Sequence, residues 1–233
     1  PGRTKDLINR KKLNLDNLER IILDESDEML TMGFKDDLDK ILSSTPSDRQ
    51  ILLFSATMPK HIMKISKKYM HNPIKISTKE VNTSPDNVEH IYYLVVAKNK
   101  YEVLKRVADY NPNIYGIVFC RTRRETKDLA MKLMLDNYNV DSLHGDLSQQ
   151  QRDRVMDKFR ERKIQLLCAT DVAARGIDVS DITHVINYEL PEDIESYTHR
   201  SGRTARAGKK GESLAIITDR DKYKINRIEK IIK

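Results

Sequence analysis

Short apolar runs alternate with longer amphipathic stretches along this chain. Arg20-Ile21-Ile22-Leu23-Asp24 predicts a buried strand that ends in an acid, Gln50–Ser55 a second strand, and Ile74-Lys75-Ile76 a short third. Residues 79–87 hold almost nothing that could be buried, and Asn82-Thr83-Ser84-Pro85-Asp86-Asn87 within them is rich in turn formers, so 79–87 is predicted to be a linker. Beyond it, strands are expected near 88–96, 115–120, 140–143, 164–168, 183–187 and 212–217. Helices are expected near 98–110, 123–138, 148–161, 193–200 and 219–232, the last with Ile225, Ile228 and Ile232 on one face. Strands interleaved with helices predict an α/β fold with mostly parallel sheets covered on both faces. The expected division is 1–78, linker 79–87, and 88–233.

Composition narrows the partners. The chain has 233 residues, 33% charged and 39% hydrophobic, with a net charge of +7, which favours a polyanion. Trp is absent and aromatic residues make up 6%, so contacts to phosphates fit better than a broad stacking platform. Cys120 and Cys168 each close an apolar run and belong to no CxxC or Cys/His cluster, so both are expected as buried reduced thiols of a cytoplasmic protein. No apolar stretch approaches membrane-spanning length. The chain opens on Pro1-Gly2-Arg3 without an initiator Met and is expected to be a piece of something longer.

In sheets of this kind ligands bind at the carboxyl ends of the strands, and the polar clusters fall there. Asp24-Glu25-Ser26-Asp27 follows the first strand: one carboxylate could hold magnesium through water and a second could activate a water, or the acids could simply cap a helix. Ser55-Ala56-Thr57 follows the second strand, then Met58-Pro59, and taken by itself it is better explained as a helix cap with Pro in the first turn. Residues 169–178, A-T-D-V-A-A-R-G-I-D, are more specific. A hydroxyl–acid pair, an Arg-Gly and a second acid suit a loop that meets nucleotide and phosphate, with Asp178 able to accept from a ribose hydroxyl and Arg175 able to pair with an acid. In His199–Lys210, Arg200, Arg203 and Arg206 recur every three residues among glycines, a pattern suited to polyphosphate.

These motifs, in this order, resemble the DEAD-box RNA helicases. Residues 22–30 resemble motif II, with Ser26 in place of the usual Ala; Ser55-Ala56-Thr57 is motif III. Pro1-Gly2-Arg3 is similar to the end of motif Ib, 118–122 to motif IV, and His144-Gly145-Asp146 with Gln149 and Arg152 to motif IVa. Residues 169–179 match motif V and 199–208 motif VI. The resemblance implies two RecA-like lobes, the first only partial here, that use ATP and Mg2+ at the lobe interface to bind RNA and separate short duplexes. It implies Asp24 as the magnesium residue, through water, and Glu25 as the activator of the hydrolytic water. Asp27, Ser55, Thr57, His199 and Arg200 would couple ATP state to RNA grip, and Arg203 and Arg206 would be arginine fingers on the γ-phosphate. Gly176 and Asp178 would contact ATP. Gly2, Arg3, Arg121, Thr122, Gly145, Gln149, Arg152, Thr170 and Asp171 would meet RNA, largely through its backbone and without regard to sequence.

Two departures matter. Ala205 stands where the family commonly has Gly, which is harmless only if φ there is negative. No G-x-x-x-x-G-K-[ST] exists in the chain, so these residues alone are expected to hydrolyse ATP negligibly. That absence leaves a second reading, a non-hydrolysing RNA-binding or scaffold module, and a third, a DNA helicase of a related family.

Overall fold

A computed structural model describes residues 1–58, 60–77, 87–205 and 208–232 of the chain. Arg206 and residues 79–86 of the expected linker lie outside the described residues. The chain divides into two compact units, Pro1–Asn82 and Thr83–Lys233.

The first unit runs α1 (Gly2–Asn9), β1 (Arg20–Leu23), α2 (Ser26–Thr31), α3 (Lys35–Ser43), β2 (Gln50–Leu53) and α4 (Lys60–Tyr69). β1 and β2 pair in parallel with Arg20 opposite Gln50 and Leu23 opposite Leu53. Strand alternation sorts their side chains. Ile21, Leu23, Ile51 and Leu53 pack with Leu38, Leu42 and Ile65 of α3 and α4 into the core. The opposite face carries Ile22 and Phe54, both more than half exposed. The strand expected at 74–76 does not form: Ile74 and Ile76 are 89% and 85% exposed, with no ladder partner among the described residues. An apolar doublet makes a strand only where a neighbour supplies hydrogen bonds and cover.

The second unit is a six-stranded, wholly parallel sheet in the order β3-β8-β7-β4-β6-β5. Its elements are β3 (Val88–Leu94), α5 (Lys100–Tyr110), β4 (Gly116–Phe119), α6 (Arg123–Leu135), β5 (Val140–Leu143), α7 (Gln149–Arg160), β6 (Leu166–Ala169), α8 (Asp171–Ala174), β7 (His184–Asn187), α9 (Ile194–Ser201), β8 (Gly211–Ile217) and α10 (Lys222–Ile232). β4, β6 and β7 are buried at every position, as strands covered on both faces must be. Ile117, Phe119 and Leu167 face one core with α7; Val118, Leu166, Cys168 and Ile186 face the other with α5 and α6. The helix starts are written in side chains. Thr122 accepts from the Glu125 N–H, Asp193 from the Ser196 N–H, and Ser148 and Gln151 form a reciprocal capping box. The one-turn α8, too short for a periodicity to reveal, begins on Thr170, which accepts from the Ala173 N–H.

The contrast between a sheet covered on both faces and one covered on a single face has a measurable result. Hydrogen exchange of the 233-residue chain is expected to leave the amides of β4, β6 and β7 protected at least a hundredfold longer than those of β1 and β2. Equal protection would show that the exposed Ile22–Phe54 face costs the first unit nothing.

Candidate functional site

In the first unit the carboxyl ends of β1 and β2 lie side by side, and a small hydrogen-bonded knot forms there. Asp27 is 4% exposed, and its Oδ2 accepts from both the N–H and the hydroxyl of Thr57, at 2.8 and 2.9 Å. The Asp27 N–H donates to Ser55 Oγ at 3.2 Å, and the Ser26 N–H to the Phe54 carbonyl at 3.1 Å. A buried carboxylate costs several kcal/mol unless it is fully bonded, so this knot fixes motif II against motif III. Ser26 is buried and its hydroxyl donates to the Leu23 carbonyl at 3.2 Å, which is how the chain accommodates a hydroxyl where Ala is usual. The knot leaves Asp24 and Glu25 exposed beside it. Asp24 Oδ1 accepts from the Glu25 N–H at 2.9 Å. Glu25 sits in the left-handed region (φ 48°, ψ 47°), a conformation costing about 1–2 kcal/mol for a residue with a side chain, and one that sets the direction its carboxylate leaves the turn. Among the described residues no three His, Cys, Asp or Glu side chains converge on a metal position. Two exposed carboxylates, Asp24 and Glu25, stand side by side here, a set that could hold magnesium only with water and phosphate supplying most of its ligands. Gly2 and Arg3 open the first turn of α1, where Arg3 pairs with Asp6 at 3.0 Å on the surface.

In the second unit the centre is Arg200. It is 3% exposed, and its guanidinium forks onto Asp171 with Nε–Oδ1 at 2.6 Å and Nη2–Oδ2 at 2.8 Å. Nη1 donates to Asn187 Oδ1 at 2.9 Å and to the Glu189 carbonyl at 2.6 Å, and the plane lies 4.7 Å from the centroid of the Phe119 ring. The resemblance implies that Arg200 couples ATP state to RNA grip and that Asp171 meets RNA; in this structure their side chains bond each other, so that motif VI on α9 is clasped to motif V on α8. Two further bonds continue the clasp: Arg203 Nη1 donates to the Ile177 carbonyl at 3.4 Å, and the Thr204 hydroxyl donates to that of Ile182. Arg203 therefore lies beside the Gly176-Ile177-Asp178 turn, where Gly176 takes φ +69° and Asp178 is exposed. His199 is half-buried in the last turn of α9. Arg206 lies outside the described residues.

The second unit's residues expected to meet RNA gather because β4, β6 and β5 are neighbours in a parallel sheet and end on one edge. Arg121 and Thr122 follow β4, Gly145 follows β5, and Thr170 and Asp171 follow β6. The Arg123–Asp146 ion pair at 2.5 Å joins the first two loops, and Arg152 Nη2 reaches the Ala173 carbonyl of α8 at 3.3 Å. Gln149 is exposed on the first turn of α7, bonded to Asp153 at 2.8 Å. Arg121 pairs with Glu192 at 2.8 Å, both more than 60% exposed, a surface pair that a phosphate can displace at little cost. Thr122 and Thr170 act within the chain as helix caps. Burial pushes the Cys120 thiol up to about 12 and Cys168 well above its usual range, so neither thiol is a nucleophile near neutral pH. Sequence reasoning missed the buried Asn187, Thr204 and Tyr197 and the half-buried Glu189, the polar scaffold beneath the motifs. A polar Asn directly after the apolar Val185-Ile186 was the available signal.

Ala205 takes φ +56°, the condition under which a Cβ is not harmless. Ala205→Gly is expected to stabilise the chain by about 0.5–1 kcal/mol, the left-handed cost less the glycine's extra freedom when unfolded, read as a raised midpoint in thermal melts. Arg200→Lys keeps the charge but loses the fork and is expected to destabilise the second unit by about 3 kcal/mol in urea titrations; a change under 1 kcal/mol would mean the clasp is replaceable by any cation.

Known proteins share this arrangement. Residues 1–65 match the DEAD/DEAH box helicase family and residues 99–208 the helicase conserved C-terminal domain. The whole chain is 48% identical to the DEAD-box ATP-dependent RNA helicase CshA of Bacillus cereus and 46% identical to that of Bacillus subtilis, spanning 44% and 47% of their lengths. Among solved structures, a DEAD box protein from Methanococcus jannaschii is 49% identical over the whole chain and 62% of its own, with a TM-score of 0.60. Dbp5 of S. cerevisiae, bound to RNA and ADP BeF3, is 32% identical over the whole chain and 62% of its own, with a TM-score of 0.91. With a match that runs from end to end and with RecA-like parallel sheets beneath the motifs, the chain belongs to the DEAD-box helicase family.

Proposed function

We propose that this chain is part of an ATP-dependent RNA helicase, carrying its water-activating acids in the first unit and its phosphate- and RNA-facing residues in the second. The observation that supports this most is the pair of internal locks, Asp27 with Ser55 and Thr57, and Arg200 with Asp171. Each lock leaves a reactive partner beside it: Asp24 and Glu25 in one unit, Arg203 in the other. A module that only bound RNA would have no use for a carboxylate held in a strained turn.

In this reading Asp24 holds Mg2+ through water, the ion neutralising phosphate charge when bound. Glu25 takes a proton from the attacking water, and Arg203, with Arg206, meets the charge that grows on the γ-phosphate. Asp178 accepts from the ribose, with Gly176 turning the backbone toward the nucleotide. Gly2, Arg3, Arg121, Thr122, Gly145, Gln149, Arg152 and Thr170 face the RNA backbone, which makes binding indifferent to sequence. Asp27, Ser55, Thr57 and His199 pass the nucleotide state to that surface, and Arg200 and Asp171 hold the second unit's motifs in register. The Dbp5 structure with RNA and ADP BeF3 supports the pairing of these two ligands. Two buried free thiols support a cytoplasmic setting. Among the described residues no helix is long and apolar enough to cross a membrane.

The chain carries no phosphate-cradling G-x-x-x-x-G-K-[ST], so we infer negligible turnover by these residues alone. The test is phosphate release from ATP by a whole-length protein containing this chain, with and without RNA. RNA is expected to raise the rate, Glu25→Gln to lower it by about 10²–10⁴-fold, and Arg203→Ala by about 10³-fold or more. A folded whole-length protein with no turnover would favour the binding-module reading. Steady turnover by the 233 residues alone would overturn the inference about the missing loop.

A further inference from the structure

Lys100 is out of place by ordinary rules. It is the first residue of α5, where a cation opposes the positive end of the helix dipole, and it is 7% exposed, a burial lysine tolerates only when paired. Its ammonium donates to Glu189 Oε1 and stands 5.0 Å from the centroid of the Tyr188 ring. Glu189 is also the residue whose carbonyl receives Arg200 Nη1 at 2.6 Å, while its N–H donates to the Phe119 carbonyl at 3.1 Å. The turn after β7 is thus pinned at three points: to β4 through its N–H, to α5 through its carboxylate, and to motif VI through its carbonyl.

We propose that Lys100 is a positioning residue for the helicase reaction: it holds the Glu189 turn against Arg200, and so sets where α9 presents His199 and where the turn after it presents Arg203. The proposal rests on the reading under Proposed function for its catalytic half only. Lys100 belongs to none of the motifs and acts through a second residue. Without its ammonium, the Glu189 carboxylate, 30% exposed, has water on one side and no cation on the other. It relaxes toward solvent and carries the carbonyl away from Arg200, whose fork on Asp171 then bears the whole load.

Three variants test this: Lys100→Met, Lys100→Arg, and Lys100→Met with Glu189→Gln. In the 233-residue chain, Lys100→Met is expected to speed amide exchange about tenfold in residues 171–175 and 194–203 and leave β4 and β6 unchanged, with Lys100→Arg near wild type. The double variant, which also removes the stranded carboxylate, is expected to exchange no faster than Lys100→Met. Lys163→Met, which removes a surface partner of Glu161, is the control and should move neither segment. In the whole-length protein, Lys100→Met is expected to lower kcat about tenfold with KM for ATP within twofold. Unchanged exchange at 171–175 and 194–203, or a uniform acceleration across the second unit, would overturn the proposal. Full kcat in Lys100→Met beside an active wild type would overturn it as well. An inactive wild type would sink the helicase reading instead, and the exchange result would then decide Lys100 by itself.

Discussion

The second unit depends on a buried guanidinium. A charge taken from water must find its hydrogen bonds inside the protein, at a penalty of several kcal/mol if it does not. Arg200 finds four acceptors, on Asp171, Asn187 and Glu189, and an aromatic face on Phe119. Those groups come from α8, the end of β7, the turn beyond it, and the end of β4. Satisfying the fork holds all of these segments together, so one side chain ties the carboxyl edge of the sheet into a single arrangement. Motifs V and VI are widely spaced along the chain, and they act as one body because of it.

Much of this was legible in the residues. The strands at 140–143 and 183–187 and the helices at 123–138 and 148–161 follow from apolar period and capping residues, which are local properties, and the structure has them within a few residues. Ile74-Lys75-Ile76 read as a strand because its composition suits one, yet a strand is a relation between two segments, and none pairs with it among the described residues. The inward turn of Arg200 was hidden for a similar reason. An arginine in a glycine-rich basic run reads as a phosphate ligand, and only the fold shows that the run has one side facing Asp171 and another holding Arg203. Lys100 gave no pattern at all, since its meaning lies in a contact to Glu189 far along the chain.

Two residues with side chains, Glu25 and Ala205, hold the left-handed backbone within motifs, and each lies against a rigid neighbour: the Asp27–Thr57 knot, and the Thr204–Ile182 bond. Local strain persists where its surroundings over-determine it. A Cβ built on Gly211 would stand 2.1 Å from Thr204 Oγ1 and 2.8 Å from the Ala205 N atom, so the start of β8 is itself the wall behind the Ala205 turn. The strained loop is thereby coupled to the sheet it precedes.

The pairing of β3 with β8 sets the order of events during synthesis. Val88 lies opposite Gly211 and Leu94 opposite Ile217, so the strand made first in this unit has as its ladder partner the strand made last. While the ribosome adds everything between them, β3 waits with Ile91, Tyr92, Tyr93 and Leu94 in an unpaired run of the kind that seeks any open strand. The sheet can assemble outward from β4 as its partners emerge, but it cannot shut until β8 has left the exit tunnel. The nascent second unit therefore carries an open strand edge over nearly the whole of its translation, and that edge closes only with its last strand.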